Sequence, residues 1–237
     1  MNYTIKLLTK KDLTIVSMVW TFAKPKGFTY KAGQYCEFSI PNFEPTKNDD
    51  GTRCLSLVSN PEEDNIVIAS NIRDSAFKQH LKALEIGQEI KMSGPYGDFK
   101  LHQNTDIPTV MIAGGIGITA IYSLLKDVLR TDPNRNITLF HSVNTFDTMH
   151  FYDELENLNV KHKNFKFVPT ITDMYRQAWK GEIGRIDLNL LNKYVPDLTK
   201  PNYYLCGSSS LVNGMHKLLT NNKVREDNIR SEEFPGY

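Results

Sequence analysis

Apolar and polar positions alternate in short runs over the first hundred residues and follow a different rhythm afterwards. Residues 3–8 and 14–22 flank the polar stretch Thr9-Lys10-Lys11-Asp12, a pattern that predicts a hairpin turning at that stretch. Residues 33–40 alternate as a third strand, and 53–58, 65–69 and 89–92 read as further strands. Residues 41–52 are polar, carry Pro41 and Pro45 and end in Asp-Asp-Gly, which predicts a surface loop. One helix interrupts the strands. It starts near Asp74 or Ser75, places Phe77, Leu81 and Leu84 on one face, and stops before Gly87. Several short strands with a single helix predict a small antiparallel barrel.

Beyond about residue 105 the apolar runs lengthen and alternate with helical spacing. Buried strands are expected at 110–113, 137–141, 165–169 and 203–206, with helices at 118–130, 147–158, about 187–195 and 209–221. A last short strand falls near Ile229. Strand and helix in alternation predict a parallel sheet with helices on both faces. The fold class is therefore two-domain, an antiparallel β-barrel followed by an α/β parallel sheet, divided into residues 1–102 and 103–237 with the seam through 102–106. No internal repeat or low-complexity segment interrupts this reading.

The start of the second region carries the strongest local signal. Val110 to Ala113 is an apolar run, broken by Gly114, Gly115 and Gly117, and helical spacing resumes at Ile118, Ile121, Leu124 and Leu125. Strand, glycine turn and helix together present bare N–H groups and a positive dipole end to a diphosphate. Gly115, Gly117 and Ala120 also satisfy the looser dinucleotide pattern, in which alanine is allowed at the third position.

Composition narrows the classes. The 237 residues are 40% hydrophobic and 23% charged, ordinary for a water-soluble globular chain, and the net charge of +1 gives no long-range attraction for nucleic acid or an anionic membrane. No apolar run approaches membrane-spanning length and the first residues lack a signal-peptide core, so a cytoplasmic protein with no membrane insertion is expected. Cys36, Cys54 and Cys206 are far apart, which argues against a structural zinc, a disulfide framework or a cysteine-ligated iron–sulfur cluster. No metal site is expected.

Five stretches, in order, resemble the ferredoxin–NADP⁺ reductase family of flavoenzymes over essentially the whole chain. Arg53-Cys54-Leu55-Ser56 is similar to the family's flavin motif Arg-x-Tyr-Ser, with Leu55 where the family has a stacking tyrosine. Asn71 to Lys78 is similar to the segment that opens the barrel's helix on the flavin diphosphate. Gly94-Pro95-Tyr96-Gly97-Asp98-Phe99 matches a Gly-Pro-x-Gly-x-Phe hairpin, and Gly114 to Thr119 matches Gly-Gly-x-Gly-x-Thr, with Ala120 replacing proline. Last come Cys206-Gly207, with Ser208 in place of proline, and the ending Glu232-Glu233-Phe234-Pro235-Gly236-Tyr237. Trp179 to Arg185 is a smaller echo, similar to a Trp-x-Gly-x-x-Gly stretch of close relatives.

The resemblance implies a flavin-dependent oxidoreductase that passes hydride from NADH or NADPH to FAD, with FMN the lesser alternative. Ser56, Cys206, Glu232 and Tyr237 are the implied catalytic residues. Arg53, Cys54, Leu55, Ser56, Ser70, Asn71, Ile72, Ser75, Ala76 and Phe77 are the implied flavin contacts. Gly114, Gly115, Gly117, Ile118, Thr119, Asn144, Cys206 and Gly207 fall to the nicotinamide nucleotide, and Phe234 or Tyr237 covers the flavin face. Asn144 stands where many relatives have arginine, and no Arg or Lys lies nearby in sequence, which leans the donor toward NADH; Arg176 or Lys180 could reach from the next loop. The implied acceptor is a ferredoxin, a flavodoxin or a small molecule, with Lys24, Lys26 and Lys31 as a candidate docking face. Two readings compete: a flavin or ferric reductase with a diffusible acceptor, and a non-catalytic nucleotide-binding subunit.

Overall fold

The computed structural model describes residues 2–45, 47, 49–104, 106–173 and 179–234. Six strands form the first sheet: β1 (Asn2–Thr14), β2 (Ser17–Ala23), β3 (Tyr35–Ser39), β4 (Thr52–Ser56), β5 (Asn65–Asn71) and β6 (Glu89–Tyr96). They run in the order β4-β3-β6-β1-β2-β5, antiparallel at every pairing, and curl into a barrel-like wall. Its interior is filled by Ile5, Leu7, Trp20, Phe22, Phe38, Leu57, Ile66 and Ile68, all nearly solvent-free. The helix α1 (Ala76–Ala83) closes it by burying Phe77 and Leu81, and the Trp20 indole N–H donates to the Leu81 carbonyl at 2.9 Å.

The first hairpin turns later than its polar pattern predicts. Thr9 to Asp12 lie within β1, where Lys10 pairs with Trp20 and Lys11 with Val19, and the turn falls at Ile15-Val16. The Thr14 hydroxyl accepts the Val16 N–H at 3.2 Å and lies 2.7 Å from the Ser17 hydroxyl, a local side-chain closure that stabilises the turn. The lysines are tolerated in the strand because no side chain from Leu8 to Asp12 is buried.

The second sheet is parallel throughout: β7 (Thr109–Gly114), β8 (Ile137–Val143), β9 (Phe165–Ile171), the two-residue β10 (Glu182–Ile183), β11 (Asn202–Gly207) and β12 (Ile229–Glu233). Their order is β10-β9-β8-β7-β11-β12. β10, unforeseen from sequence, is too short to show a period. The helices α2 (Ile118–Thr131) and α3 (Tyr152–Lys161) cover one face, and α4 (Leu188–Tyr194) and α5 (Ser209–Asn221) the other. The helix expected from 147 begins only at Tyr152, after a short 3-10 turn at Phe146–Thr148. The face carrying α2 also packs against barrel residues Val19, Ala32, Val58, Ala69 and Phe99, so a continuous apolar core joins the two sheets. Two polar ties reinforce it: the buried Ser123 hydroxyl donates to the Ser59 carbonyl at 2.9 Å, and the half-buried His102 N–H to the Tyr204 hydroxyl at 2.7 Å.

Replacing Trp20 by Phe removes volume and leaves the buried Leu81 carbonyl without its indole donor, a loss of about 1–3 kcal/mol. The expected outcome is a fall in the thermal midpoint of roughly 3–10 °C, read by circular dichroism.

Candidate functional site

Two cavities open where the sheets meet, of about 840 and 710 Å³, and they share Arg73 and Phe234 on their walls. Both volumes fall in the range of small-molecule and cofactor pockets.

The larger cavity is built around the end of β7. Gly115 to Gly117 make a single 3-10 turn from which α2 starts, so the first N–H groups of the helix and its positive dipole end are held at the turn. Gly115 has φ +52°, and a side chain there would project into open space. Gly117 is required for packing instead. A Cβ on it would stand 2.6 Å from the Cys206 carbonyl oxygen, so the helix start lies directly on the end of β11. Of the residues singled out from sequence, Gly114, Gly115, Gly117, Asn144, Gly207 and Phe234 line this cavity. Asn71 and Ile72, assigned to the flavin by resemblance, line it too. Ile118 is fully buried in the core behind it.

The smaller cavity is lined by Arg53, Cys54, Leu55, Ser56, Ser75, Thr119, Glu232 and Phe234 from the sequence-derived set. Ser75 caps α1, its hydroxyl accepting the Lys78 N–H at 3.3 Å. Thr119 buries its side chain and donates its hydroxyl to the Ile116 carbonyl at 2.9 Å. Ser70, Ala76 and Phe77 line neither cavity: Ser70 is buried with its hydroxyl donating to the Asn71 carbonyl at 3.2 Å, Phe77 sits in the barrel core, and Ala76 is exposed. Cys206 is also fully buried and lines neither; burial, then the nearby Glu232 charge, pushes its thiol well up. Tyr237 and Arg176 lie outside the described residues.

The sequence reading missed several wall residues. Tyr35 lies on the smaller cavity, directly opposite Ser56 in the β3–β4 register, and so presents an aromatic face beside the position where Leu55 replaces tyrosine. Lys78 and Arg73 also line it; they stand inside the motif from Asn71 to Lys78 but are not among the flavin contacts expected from it. Arg185 and His150 line the larger cavity. Arg185 ends the Trp179 to Arg185 echo, and the fold brings it to the cavity from a loop 41 positions beyond Asn144.

Charge is organised around the smaller cavity. Burial, then the positive charges of Arg73 and Arg53, lowers the Lys78 ammonium to about 8, the signature of three cations crowded about one space. Asp49, from the loop before β4, answers part of that field. Its carboxylate lies 2.9 Å from Arg53 Nη1 and accepts the Phe77 N–H at 3.4 Å, so it occupies both the guanidinium and the start of α1. Burial alone would raise that carboxyl, but the Gly51 N–H and Arg53 outweigh it and hold it below its usual value. Glu232 is the opposite case. Burial raises its carboxyl to about 7, and its Oε2 has no hydrogen-bond partner among the described residues. It sits beside Cys206 in the β11–β12 register.

These walls fit a flavin nucleotide by their own chemistry: a cluster of cations and a capped helix start for a diphosphate, an aromatic face and a serine for a ring, and an orphaned buried carboxyl at the far wall. The larger cavity's glycine turn fits a second dinucleotide. Among the described residues, no group of three or more His, Cys, Asp or Glu could hold a metal, and no helix is long and apolar enough to cross a membrane.

Comparison with known proteins agrees with this geometry. The family described as the oxidoreductase NAD-binding domain matches residues 111–217. The fold is that of two-domain reductases: the chain superposes on the Amycolatopsis cytochrome P450 reductase GcoB with a TM-score of 0.87 at 21% identity, covering 99% of this chain and 70% of that one. A ferredoxin NADP⁺ reductase from Neisseria gonorrhoeae with bound FAD and NADP gives 0.81 at 20% identity, with 98% of each chain covered. The chain thus shares its fold with a ferredoxin NADP⁺ reductase. In sequence it is similar to the reductase component of propane 2-monooxygenase from Gordonia sp. (strain TY-5), 27% identical over 98% of this chain and 68% of that protein. It is likewise 27% identical to the reductase component of phenol 2-monooxygenase from Pseudomonas sp. (strain CF600), over 86% of this chain and 58% of that one. The chain thus spans roughly three fifths to two thirds of the length of these relatives.

Because the Glu232 carboxyl is raised to about 7 in the folded chain and is near 4.5 when unfolded, the folded state holds the extra proton between those values. Stability is therefore expected to fall as pH rises from about 5 to 8, and Glu232→Gln to flatten that fall, as read by thermal midpoints across pH.

Proposed function

We propose that this chain is an FAD-dependent NAD(P)H oxidoreductase that passes electrons onward to a separate acceptor such as a ferredoxin, a flavodoxin or another redox protein. The observation that carries the reading is the meeting of the two cavities at Arg73 and Phe234, one around a dinucleotide-type glycine turn and the other ringed by Arg53, Arg73 and Lys78. The relatives' names, reductase components of propane and phenol monooxygenases, support a role as the electron-delivering member of a multicomponent system. In this reading residues 1–102 hold the flavin and residues 103–237 the nicotinamide nucleotide.

The flavin, when bound, takes hydride from the nicotinamide and hands electrons on singly or in pairs. The chain's own residues position and tune. Arg53 and Lys78 would hold the flavin diphosphate, with Arg73 on the wall shared by the two cavities. Tyr35 and Leu55 would pack against the ring, and Ser56 would offer it a hydroxyl. The glycine turn would hold the second diphosphate on the N–H groups of Gly115 to Gly117, which line the larger cavity. Phe234 covers the junction, anchored by its N–H to the Gly207 carbonyl at 2.8 Å, and excludes water until the nicotinamide enters. Glu232 keeps or releases a proton near neutrality at the wall of the smaller cavity. Most of the rate comes from holding the reacting rings in register.

A second reading, a reductase of diffusible acceptors, is favoured by one observation. Lys24, part of the candidate docking face, folds back to donate to the Pro61 carbonyl at 2.6 Å and the Glu63 carbonyl at 3.2 Å, which leaves Lys26 and Lys31 as its exposed members.

The test is an anaerobic visible spectrum of the purified protein, reconstituted with FAD and titrated with NADH and with NADPH. A yellow protein that bleaches with either donor supports the proposal; a protein that stays colourless after FAD addition overturns it. Two opposed substitutions probe the flavin site. Arg53→Ala is expected to weaken FAD retention about tenfold or more, whereas Asp49→Ala, by releasing Arg53 and the Phe77 N–H, strengthens it several-fold; both are read by flavin fluorescence on dilution. Donor choice turns on the end of the larger cavity at Asn144 and Arg185. Asn144→Arg is expected to move the ratio of specificity constants toward NADPH and Arg185→Ala away from it, each by roughly tenfold.

A further inference from the structure

We propose that His141 is a positioning residue for the nicotinamide nucleotide, a role that rests on the oxidoreductase reading above: its imidazole pins the Gly115 carbonyl and so aims the N–H groups of the glycine turn at the diphosphate. His141 lies on β8 beside Ala113 of β7, one pair before the strands end, and is completely buried. Its Nε2 is 3.0 Å from the Gly115 carbonyl oxygen. A carbonyl only accepts, so Nε2 carries the proton. Burial pushes the imidazole down to about 4, which leaves Nδ1 as a bare lone pair near neutrality, and Nδ1 has no partner among the described residues.

The same carbonyl also accepts the Ile118 N–H. With both lone pairs engaged, the peptide joining Gly115 to Ile116 has its orientation set at the oxygen end. A trans planar peptide points its C=O and N–H in opposite directions, so anchoring the oxygen toward β8 turns the Ile116 N–H outward, to the cavity that Gly115 and Ile116 line. The anchor matters at this residue because Gly115 is left-handed at φ +52° with open space where a side chain would be, and glycine opposes a peptide flip only weakly. A flipped peptide would turn carbonyl oxygen rather than N–H toward an anion. The neighbouring His150 is arranged in parallel fashion. Its Nε2 is 3.2 Å from Asn71 Oδ1 across the junction of the sheets, and its ring centroid is 6.1 Å from that of His141.

The experiment compares wild-type protein, His141→Leu and His141→Gln, each loaded with FAD, by calorimetric titration with NAD⁺ and NADP⁺ and by steady-state kinetics with an artificial acceptor. Leucine removes the donor, whereas glutamine can place an amide N–H on the same carbonyl. The expected result for His141→Leu is about tenfold weaker dinucleotide binding and a matching rise in KM, with kcat within twofold and FAD affinity unchanged. His141→Gln should recover binding to within about threefold of wild type. Dinucleotide affinity within twofold of wild type in His141→Leu, or an equal loss in both variants, would overturn the role while leaving the oxidoreductase reading intact. A wild-type protein that binds neither dinucleotide would overturn that reading itself. Should the leucine variant not fold, the imidazole of the wild-type protein decides. Nitrogen NMR is expected to show His141 as the Nε2–H tautomer between pH 6 and 8, and an Nδ1–H tautomer contradicts the anchor.

Discussion

The contact on which the site depends is the near touch between Gly117 and the end of β11. No atom beyond hydrogen fits there, since a Cβ would lie 2.6 Å from the Cys206 carbonyl oxygen and 2.8 Å from the Gly207 Cα. Because α2 is pressed onto that strand end, the helix start, Cys206 and, through register, Glu232 all fall within one small region. From there the chain reaches both cavities at once: Gly115 and Gly117 face the larger and Thr119, two residues on, the smaller. A bulkier residue at position 117 would separate the two sites by forcing the helix away from backbone that has no freedom to yield.

Electrostatics around this contact divide by burial. On the barrel side, Arg53, Arg73 and Lys78 share one wall, burial weakens the hold of Lys78 on its proton, and Asp49 pairs with Arg53. On the nucleotide side, charge is avoided. His141 and His150 are both driven to the neutral form by burial, to about 4 and about 3, and act through hydrogen bonds. The contrast follows from what each wall must do. A cofactor retained for the life of the protein benefits from charge-assisted contacts, whereas a nucleotide that arrives and leaves every turnover is better met by aimed backbone N–H groups.

Much of this architecture was legible in the residues. The parallel sheet announced itself through apolar runs such as Val110 to Ala113, because strands buried on both faces must be apolar on both. The barrel's helix was legible from Ser75 and the spacing of Phe77 and Leu81. What failed were local choices decided by distant partners. Thr9 to Asp12 look like a turn, yet their backbone pairs with β2, and the β-branched Ile15 and Val16 look like strand and instead make the turn. The site was legible where a motif is contiguous, as at Arg53 to Ser56 and Gly114 to Gly117, and opaque where it is assembled in space. Tyr35 reaches Ser56 only through strand register, Asp49 reaches Arg53 from a polar loop without pattern, and His141 meets Gly115 across two strands. Ser70, Ala76 and Phe77 show the converse: adjacency in a motif does not put every side chain on the wall, since alternation in β5 and the turn of α1 send their neighbours there instead.

The two cavities also explain why the chain needs the apolar junction between its sheets. Hydride transfer demands that two rings approach within van der Waals contact, a tolerance far finer than a flexible linker could hold. Here the barrel residues Val19, Val58 and Ala69 share one core with Ile116, Ile121 and Leu124, and Ser123 and His102 add hydrogen bonds across the same interface. At the junction itself stand Phe234, after the end of β12, and Arg73, at the exit of β5, each placed where it touches both cavities. One shared core beneath both cavities and two side chains common to their walls tie the two sites to a single geometry.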